Sequence, residues 1–283
     1  MGMASGNFSR ERDKRVTPVS RSETALITGA SSGIGYELAK LFAADRYNLV
    51  LVARNEARLN SLAKMLREKH GVNVYVYTAD LGDPAMPQQI YDRLQRENVT
   101  IDYLVNNAGF GARGAFSVLT TERQLEMIQV NVVALTHLTR LLLPSMLGRG
   151  CGGILNVAST AAFQPGPNMA VYYSTKAYVL FLSEALTEEL SNTPLKVSCL
   201  APGATQTGFA AEADMKTSRL FRLGAMNAEY VARVGYEGFQ TGKAIIVPGI
   251  RNKLVIFLIR LGPRAIVRKL AKYLQSDSPP HAS

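Results

Sequence analysis

Two adjacent tyrosines and a lysine could carry proton chemistry in the middle of this chain. Tyr172 and Tyr173 precede Lys176 in the run YYSTK. On a helix, a tyrosine and a lysine four residues apart share one face, and a nearby cation would lower the pKa of a phenol. A phenol tuned in this way is suited to acid–base catalysis. The run alone leaves open which tyrosine is involved, and whether the residues only pack in a core.

A glycine-rich turn follows the first apolar run of the chain. Residues 28–35 have the sequence TGASSGIG and lead directly into a helical pattern. Glycines permit a tight turn and let backbone amides approach a pyrophosphate, while the helix N-terminus offers N–H groups and a partial positive charge. Glycines also serve ordinary strand-to-helix turns, but the position after the first strand favours a dinucleotide site.

The end of the second apolar run predicts which dinucleotide is bound. In dinucleotide folds, a residue about 20 positions past the glycine turn faces the adenosine ribose. Arg54 stands near that point, in the run VARNEARL. A guanidinium pairs with a 2′-phosphate, whereas an acid would accept from a 2′-hydroxyl, so Arg54 favours NADP(H) over NAD(H). The alternative is a solvated arginine that caps a helix.

Two further strand ends carry polar or small residues. Asp80 follows the third strand and could accept a hydrogen bond from an adenine amino group, while Asp83 is expected to cap the next helix. Residues 106–109 (NNAG) close the fourth strand at the carboxyl edge, where ligands of open α/β sheets bind. A structural role for NNAG is as compatible with the sequence as direct contact with a ribose.

Short β-branched runs alternate with helical patterns along the chain. The predicted strands are residues 24–28, 48–53, 72–77, 101–105, 153–158, 195–200 and 243–248, with helices expected at 34–45, 56–69 and 172–191, among others. Strands separated by helices imply a parallel sheet, and nearly continuous apolar strands imply helices on both faces. We therefore predict an α/β fold with one doubly wound parallel sheet. It should span residues 22–250, between a flexible tail (1–21) and a C-terminal extension (251–283).

These residues, taken in order, resemble the short-chain dehydrogenase/reductase family. The resemblance is carried by Thr28, Gly29, Gly33, Gly35, Asn106, Asn107, Ala108, Gly109, Asn131, Ser159, Tyr172, Lys176, Pro202, Gly203 and Thr207. It covers roughly residues 22–250, and the ordered set is far more specific than any one member. It implies a seven-stranded sheet, nicotinamide-dependent interconversion of a carbonyl and an alcohol, and a homodimer or homotetramer.

The resemblance also implies a role for each catalytic candidate. The family's tyrosine lies four residues before the lysine and 13 after the serine, which matches Tyr172 and Ser159. Tyr172 would then exchange the proton, and Ser159 would orient the substrate oxygen. Lys176 would hold the nicotinamide ribose and stabilise the phenolate, and Asn131, on a neighbouring helix, would anchor a water that relays protons to Lys176. Tyr173 is left to packing or to the pocket wall.

The expected contacts with NADP(H) form a larger set. They are Gly29, Ser31, Ser32, Gly33, Ile34, Gly35, Arg54, Asp80, Leu81, Asn107, Ala108, Gly109, Tyr172, Lys176, Pro202, Gly203 and Thr207. Beyond them, the resemblance places a substrate lid up to about residue 228. Its apolar side chains Phe209, Met215, Leu220, Phe221 and Met226 favour an apolar carbonyl or alcohol substrate. An ordinary helix pair that covers the sheet is the alternative.

The C-terminal extension is basic and amphipathic. From residue 250 onward, seven basic residues and one acid contribute +6 of the net charge of +10. Residues 251–275 carry two apolar stripes at helical spacing, separated by Gly262 and Pro263 and backed by arginine or lysine. This pattern is typical of a helix that lies on a membrane surface. It serves a lid or an oligomer interface equally well, and we favour those two over peripheral membrane contact.

Composition limits which partners, metals and cellular settings the protein is expected to have. The first 249 residues carry only +4, which argues against a nucleic-acid partner. Two cysteines, Cys151 and Cys199, and three scattered histidines lack metal-ligand spacing, so we predict no metal and a reducing, cytoplasmic setting. No run approaches the roughly 18 apolar residues of a membrane span. A non-catalytic regulatory or scaffold protein is the alternative function, although the complete catalytic set argues against it.

Overall fold

Seven parallel strands form the central sheet of the protein. The computed structural model describes residues 23–208 and 224–275. Within them the strands are β1 (Thr24–Thr28), β2 (Asn48–Ala53), β3 (Val74–Thr78), β4 (Tyr103–Asn106), β5 (Gly153–Val157), β6 (Lys196–Leu200), β7 (Thr205–Gln206), β8 (Met226–Asn227) and β9 (Ile245–Ile246). The large sheet has the order β3-β2-β1-β4-β5-β6-β9, and β7 pairs separately with β8. The predicted doubly wound α/β fold is confirmed.

Helices cover both faces of this sheet. They are α1 (Gly33–Ala44), α2 (Glu56–His70), α3 (Met86–Arg96), α4 (Thr121–Ile128), α5 (Leu135–Arg149), α6 (Ala170–Glu189), α7 (Ala228–Gln240), α8 (Ile250–Leu261) and α9 (Arg264–Gln275). A π-helical turn (Gln129–Ala134) joins α4 to α5, and a short 3-10 helix (Thr160–Phe163) follows β5. The strand order reverses between β1 and β4, which is where open α/β sheets bind ligands.

Burial on both faces explains why β1 is apolar at each of its three central positions. All five residues of β1 are buried. Ala25 and Ile27 pack with Phe42 of α1 on one face, while Leu26 packs with Leu138 of α5 on the other. Successive side chains of a strand point to opposite faces, so a sheet covered on both sides needs apolar residues at both.

Some element bounds differ from the predicted ones. The last strand shortens from the predicted residues 243–248 to Ile245–Ile246, and it pairs with β6 only through Cys199 and Leu200. Pro248 has no N–H to extend a ladder, which is consistent with the early end of this edge strand. The predicted flexible tail (1–21) lies outside the described residues, as do Phe209, Met215, Leu220 and Phe221 of the predicted lid.

One helical stretch in the described part of the chain is long and apolar enough to cross a membrane. It is Thr121–Arg149, which comprises α4, the π-helical turn and α5. Its side chains Leu138, Leu142 and Met146 are buried in the core that also contains Leu26 of β1. One side of this stretch therefore packs in the core of the fold.

Candidate active site

A cavity of about 960 Å³ lies at the carboxyl edge of the sheet. Small-molecule sites range from about 300 to 1,000 Å³, so this cavity is large enough for a sizeable ligand. The ends of β1, β4, β5 and β6 contribute to its lining, and α8 and α9 add apolar residues such as Val255, Ile259 and Leu274. The extension therefore folds back onto the cavity.

Most of the predicted site residues line this one cavity. They are Gly29, Ser31, Ser32, Gly33, Ile34, Arg54, Asp80, Leu81, Asn107, Ala108, Gly109, Ser159, Tyr172, Lys176, Pro202, Gly203 and Thr207. Gly35 and Asn131 lie behind the wall instead. A Cβ on Gly35 would stand 2.4 Å from Asn107 Nδ2 and 2.5 Å from the Gly29 carbonyl oxygen, so Gly35 serves the close packing of α1 against the loops.

The glycine turn leaves the start of α1 open toward the cavity. Gly29 and Gly33 have φ values of +66° and +58°, which L side chains rarely adopt. Ser32 occupies the N-cap position, but its side chain does not cap the helix, and the first turn contains no acid. The first N–H groups of α1 thus remain suited to an anion such as a pyrophosphate. The missing side chains and the open helix end fit a dinucleotide.

The NNAG segment ties two loops together at the switch point. The Thr28 hydroxyl accepts from the backbone N–H groups of Asn107 and Ala108, each at 3.0 Å. The Asn107 amide donates to the carbonyl oxygen of Thr28 at 2.9 Å. Asn106 is buried and donates to Asn156 at 2.9 Å. Both asparagine side chains therefore have structural roles, while Asn107 also forms part of the cavity wall.

Two arginines stand at the cavity end next to β2. Arg54 lines the cavity, and so does Arg58, which our reading of the sequence missed. The N-cap of α2 is Asn55, whose side chain accepts from the backbone N–H of Arg58 at 2.9 Å, so Arg54 is not the helix cap. The available signal for Arg58 was its position, four residues after Arg54. At the neighbouring strand end, Asp80 accepts from the Gly82 N–H at 3.0 Å and also lines the cavity.

The catalytic candidates meet where β5 and α6 adjoin. The hydroxyls of Ser159 and Tyr172 hydrogen-bond each other. Ser159 Oγ also accepts from the Ala161 N–H at 3.1 Å. Lys176 Nζ donates to the carbonyl oxygen of Val157 at 2.8 Å and lies 6.0 Å from the centre of the Tyr172 ring. An ammonium carries three donors, so the bond to Val157 does not exhaust this side chain.

Burial is the largest cause of the pKa shifts of both Tyr172 and Lys176. Burial raises the pKa of Tyr172 well above its ordinary value, against a smaller opposing effect of the hydrogen bond from Ser159. The same burial lowers the pKa of Lys176 to about 8. The sequence led us to expect that Lys176 lowers the pKa of the Tyr172 phenol. In the protein without a bound cofactor, the pKa of Tyr172 is raised instead. The reason is that desolvation is the largest cause of both shifts and disfavours the charged form of each group.

Asn131 supports the site from the π-helical turn. Its side-chain amide donates to the Phe110 carbonyl oxygen at 2.9 Å and to Thr175 Oγ1 at 3.0 Å, and its oxygen accepts from the Phe110 N–H at 3.1 Å. These bonds link the NNAG loop to α6. The expected helix is widened here into a π-turn, a feature common at functional sites. The water relay to Lys176 stays a prediction.

Tyr173 connects the site to the extension. Its hydroxyl accepts from Gln275 Nε2 at 2.5 Å, and its buried ring lies edge-on to Tyr172, with centroids 6.0 Å apart. Gln275 is itself held by Arg113, whose guanidinium donates to its backbone oxygen at 3.2 Å. Sequence reasoning missed Gln275, because hydrophobic spacing gives no signal for a buried amide at the end of an apolar stripe.

The glycine turn and the catalytic candidates together define a class of protein. A glycine turn after β1 and a serine–tyrosine–lysine set at the carboxyl edge of a parallel sheet are typical of nicotinamide-dependent oxidoreductases. The family model for short chain dehydrogenases matches residues 23–218. The chain belongs to the short-chain dehydrogenase/reductase family.

Three relatives illustrate the similarity. A short-chain dehydrogenase from Sphingobium yanoikuyae, solved with NADPH, is 36% identical with a TM-score of 0.76, covering 87% of this chain and 97% of that one. A bulky-bulky ketone specific alcohol dehydrogenase from Comamonas testosteroni is 32% identical with a TM-score of 0.72, covering 87% and 95%. The ketoacyl reductase HetN of Nostoc is 28% identical over 256 residues, covering 89% of this chain and 83% of its own length. The protein is a hydride-transferring oxidoreductase that uses a nicotinamide cofactor.

Proposed function

We propose that the protein is an NADP(H)-dependent reductase or dehydrogenase that interconverts an apolar carbonyl compound and its alcohol. The observation that carries this proposal is that Ser159 and the buried Tyr172 and Lys176 together line a cavity with apolar walls. A regulatory or scaffold protein of the same fold would have no chemical need for the complete set.

The preference for NADP(H) rests on the two arginines. Arg54 and Arg58 would pair with a 2′-phosphate, since charge-assisted hydrogen bonds to phosphate are the strong ones. The start of α1 would hold the pyrophosphate, and Lys176 the nicotinamide ribose. The NADPH in the Sphingobium relative supports this choice.

Each catalytic side chain has a distinct task in this proposal. A bound nicotinamide would supply or accept the hydride. Ser159 would hydrogen-bond the substrate oxygen and orient it toward Tyr172. Because burial raises its pKa, the Tyr172 hydroxyl stays protonated at neutral pH and can donate its proton to the oxygen on which negative charge develops. The Lys176 ammonium would add positive charge nearby while it remains protonated, below a pH of about 8.

The cavity walls favour an apolar substrate. Met169 stands near the catalytic side chains, and Val255, Ile259, Leu270 and Leu274 enter from the extension. Apolar walls with a few polar groups are typical of small-molecule sites. The bulky-bulky ketone specificity named for the Comamonas relative and the ketoacyl activity named for the Nostoc relative support a large carbonyl substrate.

We further propose that the protein acts in the cytoplasm as a homodimer or homotetramer. Apolar side chains remain exposed on α4 and α6, with Leu125 at 59% and Phe181 at 66% exposure. Exposed apolar residues of this kind would be covered in an oligomer.

A carbonyl panel tests the proposal. Bulky apolar ketones and ketoacyl compounds would be mixed with the protein and either NADPH or NADH, and turnover followed as loss of nicotinamide absorbance. We expect turnover with NADPH on at least one bulky ketone. Tyr172→Phe should remove nearly all of it while NADPH still binds, because only the proton donor is lost. Tyr173→Phe is the matched control and should keep most activity.

Two results would contradict this reasoning. NADPH binding without turnover on any member of the panel would favour a regulatory or scaffold protein. Greater loss of activity in Tyr173→Phe than in Tyr172→Phe would show that the proton donor is assigned to the wrong tyrosine.

A further inference from the structure

Among the residues that the structure describes, one side of α8 carries an exposed apolar stripe. Leu254, Phe257, Leu258 and Leu261 follow the spacing i, i+3, i+4, i+7, which places them on one face of the helix. Their exposed fractions are 57%, 58%, 56% and 70%. Asn252, Val255, Ile256 and Ile259, which line the cavity or lie buried, fall on the opposite side at about 100° per residue. Ile250 and Arg251, in the first turn of α8, lie nearer the stripe and also line the cavity. The stripe is therefore not needed for the cavity wall.

α9 continues the same surface. Ile266, Leu270 and Tyr273, at i, i+4 and i+7, are 61%, 56% and 58% exposed. Seven basic side chains on the two helices are exposed: Arg251, Lys253, Arg260, Arg264, Arg268, Lys269 and Lys272. Arg251 also lines the cavity, and the Arg260 guanidinium lies 5.8 Å from the centre of the Phe163 ring. At about 100° per residue, Lys253 flanks the stripe of α8, and Lys269 and Lys272 flank the stripe of α9. No acidic residue occurs between residues 250 and 275. We call these two stripes and their basic flanks the outer surface of the extension.

We propose that the outer surface of the extension binds an anionic lipid bilayer. Apolar stripes bordered by lysine and arginine insert at the boundary between headgroups and acyl chains, while the cations attract anionic lipids. A second copy of this chain fits less well. A two-fold interface would bring the same patch of each subunit together, and would set its lysines against those of the partner with no acid of the extension between them. Charge complementarity thus favours the bilayer.

The inner and outer sides of the extension then serve different partners. Ile250 and Leu270 are exposed and also line the cavity, so its mouth lies beside the surface that would meet the lipid. If the proposed reductase function holds, an apolar substrate could pass from the bilayer into the cavity with little exposure to water. The membrane contact itself can be tested without substrate, so its failure would leave the reductase proposal standing.

Vesicle flotation of the full-length protein provides the test. Phosphatidylcholine vesicles with and without phosphatidylglycerol would be compared, at low and high salt. We expect binding to the anionic vesicles that weakens as salt rises, because ions screen the attraction. Each basic residue near an anionic surface contributes about fivefold in affinity, so Lys253→Gln/Lys269→Gln/Lys272→Gln should lose about a hundredfold. Phe257→Gln/Leu261→Gln should lose at least tenfold.

A control variant with the same loss of charge, placed away from the extension, separates a specific effect on vesicle binding from a general effect of charge. Lys64→Gln/Lys69→Gln/Arg96→Gln removes the same charge from exposed positions on α2 and α3 and should bind vesicles like the wild type. All variants should keep their oligomeric size in sedimentation and their turnover of a water-soluble ketone. Absence of vesicle binding, equal loss in the control triple variant, or a smaller assembly for Phe257→Gln/Leu261→Gln would each overturn the proposal.

Discussion

Replacing Lys176 with methionine should stabilise the protein at neutral pH while removing its activity. Burial lowers the lysine pKa from its ordinary value of 10.5 to about 8. Since one pKa unit corresponds to 1.36 kcal/mol, keeping this ammonium charged in the folded protein costs about 3 kcal/mol at pH 7. Methionine has a similar shape and no charge. It forfeits the hydrogen bond to Val157, which is worth about 1 kcal/mol, so a net gain of about 2 kcal/mol is expected.

The sign of the pH dependence follows from proton uptake. Between pH 8 and 10.5 the unfolded chain holds a proton on Lys176 that the folded protein has released. Stability from this group therefore rises with pH in that window. The cost falls to about 1 kcal/mol at pH 9.5, so the advantage of Lys176→Met should shrink by about 2 kcal/mol between pH 7 and pH 9.5.

Urea unfolding followed by circular dichroism, at both pH values and without cofactor, measures this difference. Lys64→Met, an exposed substitution on α2, serves as the control for the loss of a lysine. The variant at position 176 should also lose most turnover in the ketone assay. A constant difference from the wild type across the pH range, or a variant less stable than the wild type at pH 7, would refute the reasoning.

Three further predictions concern the rest of the cavity. Arg54→Asp should weaken NADPH binding by about tenfold to a hundredfold and NADH binding little, in titrations of nicotinamide fluorescence, because a 2′-phosphate loses a charge-assisted partner; equal weakening of both would place Arg54 outside the 2′ pocket. Gly109→Ala should lower kcat at least tenfold in the ketone assay. The added Cβ would stand 2.8 Å from Asn131 Oδ1 and 3.4 Å from Lys176 Nζ, too close to leave both side chains in place. An unchanged kcat would show that the loop moves enough to accommodate the methyl group. Truncation after Pro248 removes α8 and α9, which supply apolar residues of the cavity wall, and should raise KM for a bulky ketone at least tenfold. Each CH₂ group of the substrate that is buried against this wall contributes about 0.8 kcal/mol. An unchanged KM would show that the extension does not hold substrate.

The sheet and most of the cavity lining could be predicted from the sequence, because local rules determine them. A strand buried on both faces is apolar at consecutive positions, as at Ala25, Leu26 and Ile27 of β1, so the strand can be recognised in the sequence. Parallel strands also bring their carboxyl ends to one edge, which is enough to place Gly29, Asn107, Ser159 and Pro202 around one cavity.

The features that sequence reasoning missed depend on contacts between distant parts of the chain. Gln275 reaches Tyr173 across 102 residues. The direction of the Tyr172 pKa shift depends on how deeply α6 is buried, which a spacing of four residues cannot reveal. The two apolar sides of α8 look the same in a hydrophobic pattern, and only the fold distinguishes the side that lines the cavity from the side that faces outward.

The cavity has two parts with separate origins. Side chains for the reaction and for the cofactor come from strand ends and α6, whereas much of the apolar wall comes from α8 and α9. Substitutions in α8 and α9 can therefore change which substrate fits the cavity without changing the residues that carry out the reaction. A chimaera that carries another relative's segment in place of α8 and α9 should acquire that relative's choice of ketone while keeping the same cofactor and the same proton donor. For enzyme engineering, this makes the extension a cassette that can be exchanged without altering Ser159, Tyr172 or Lys176.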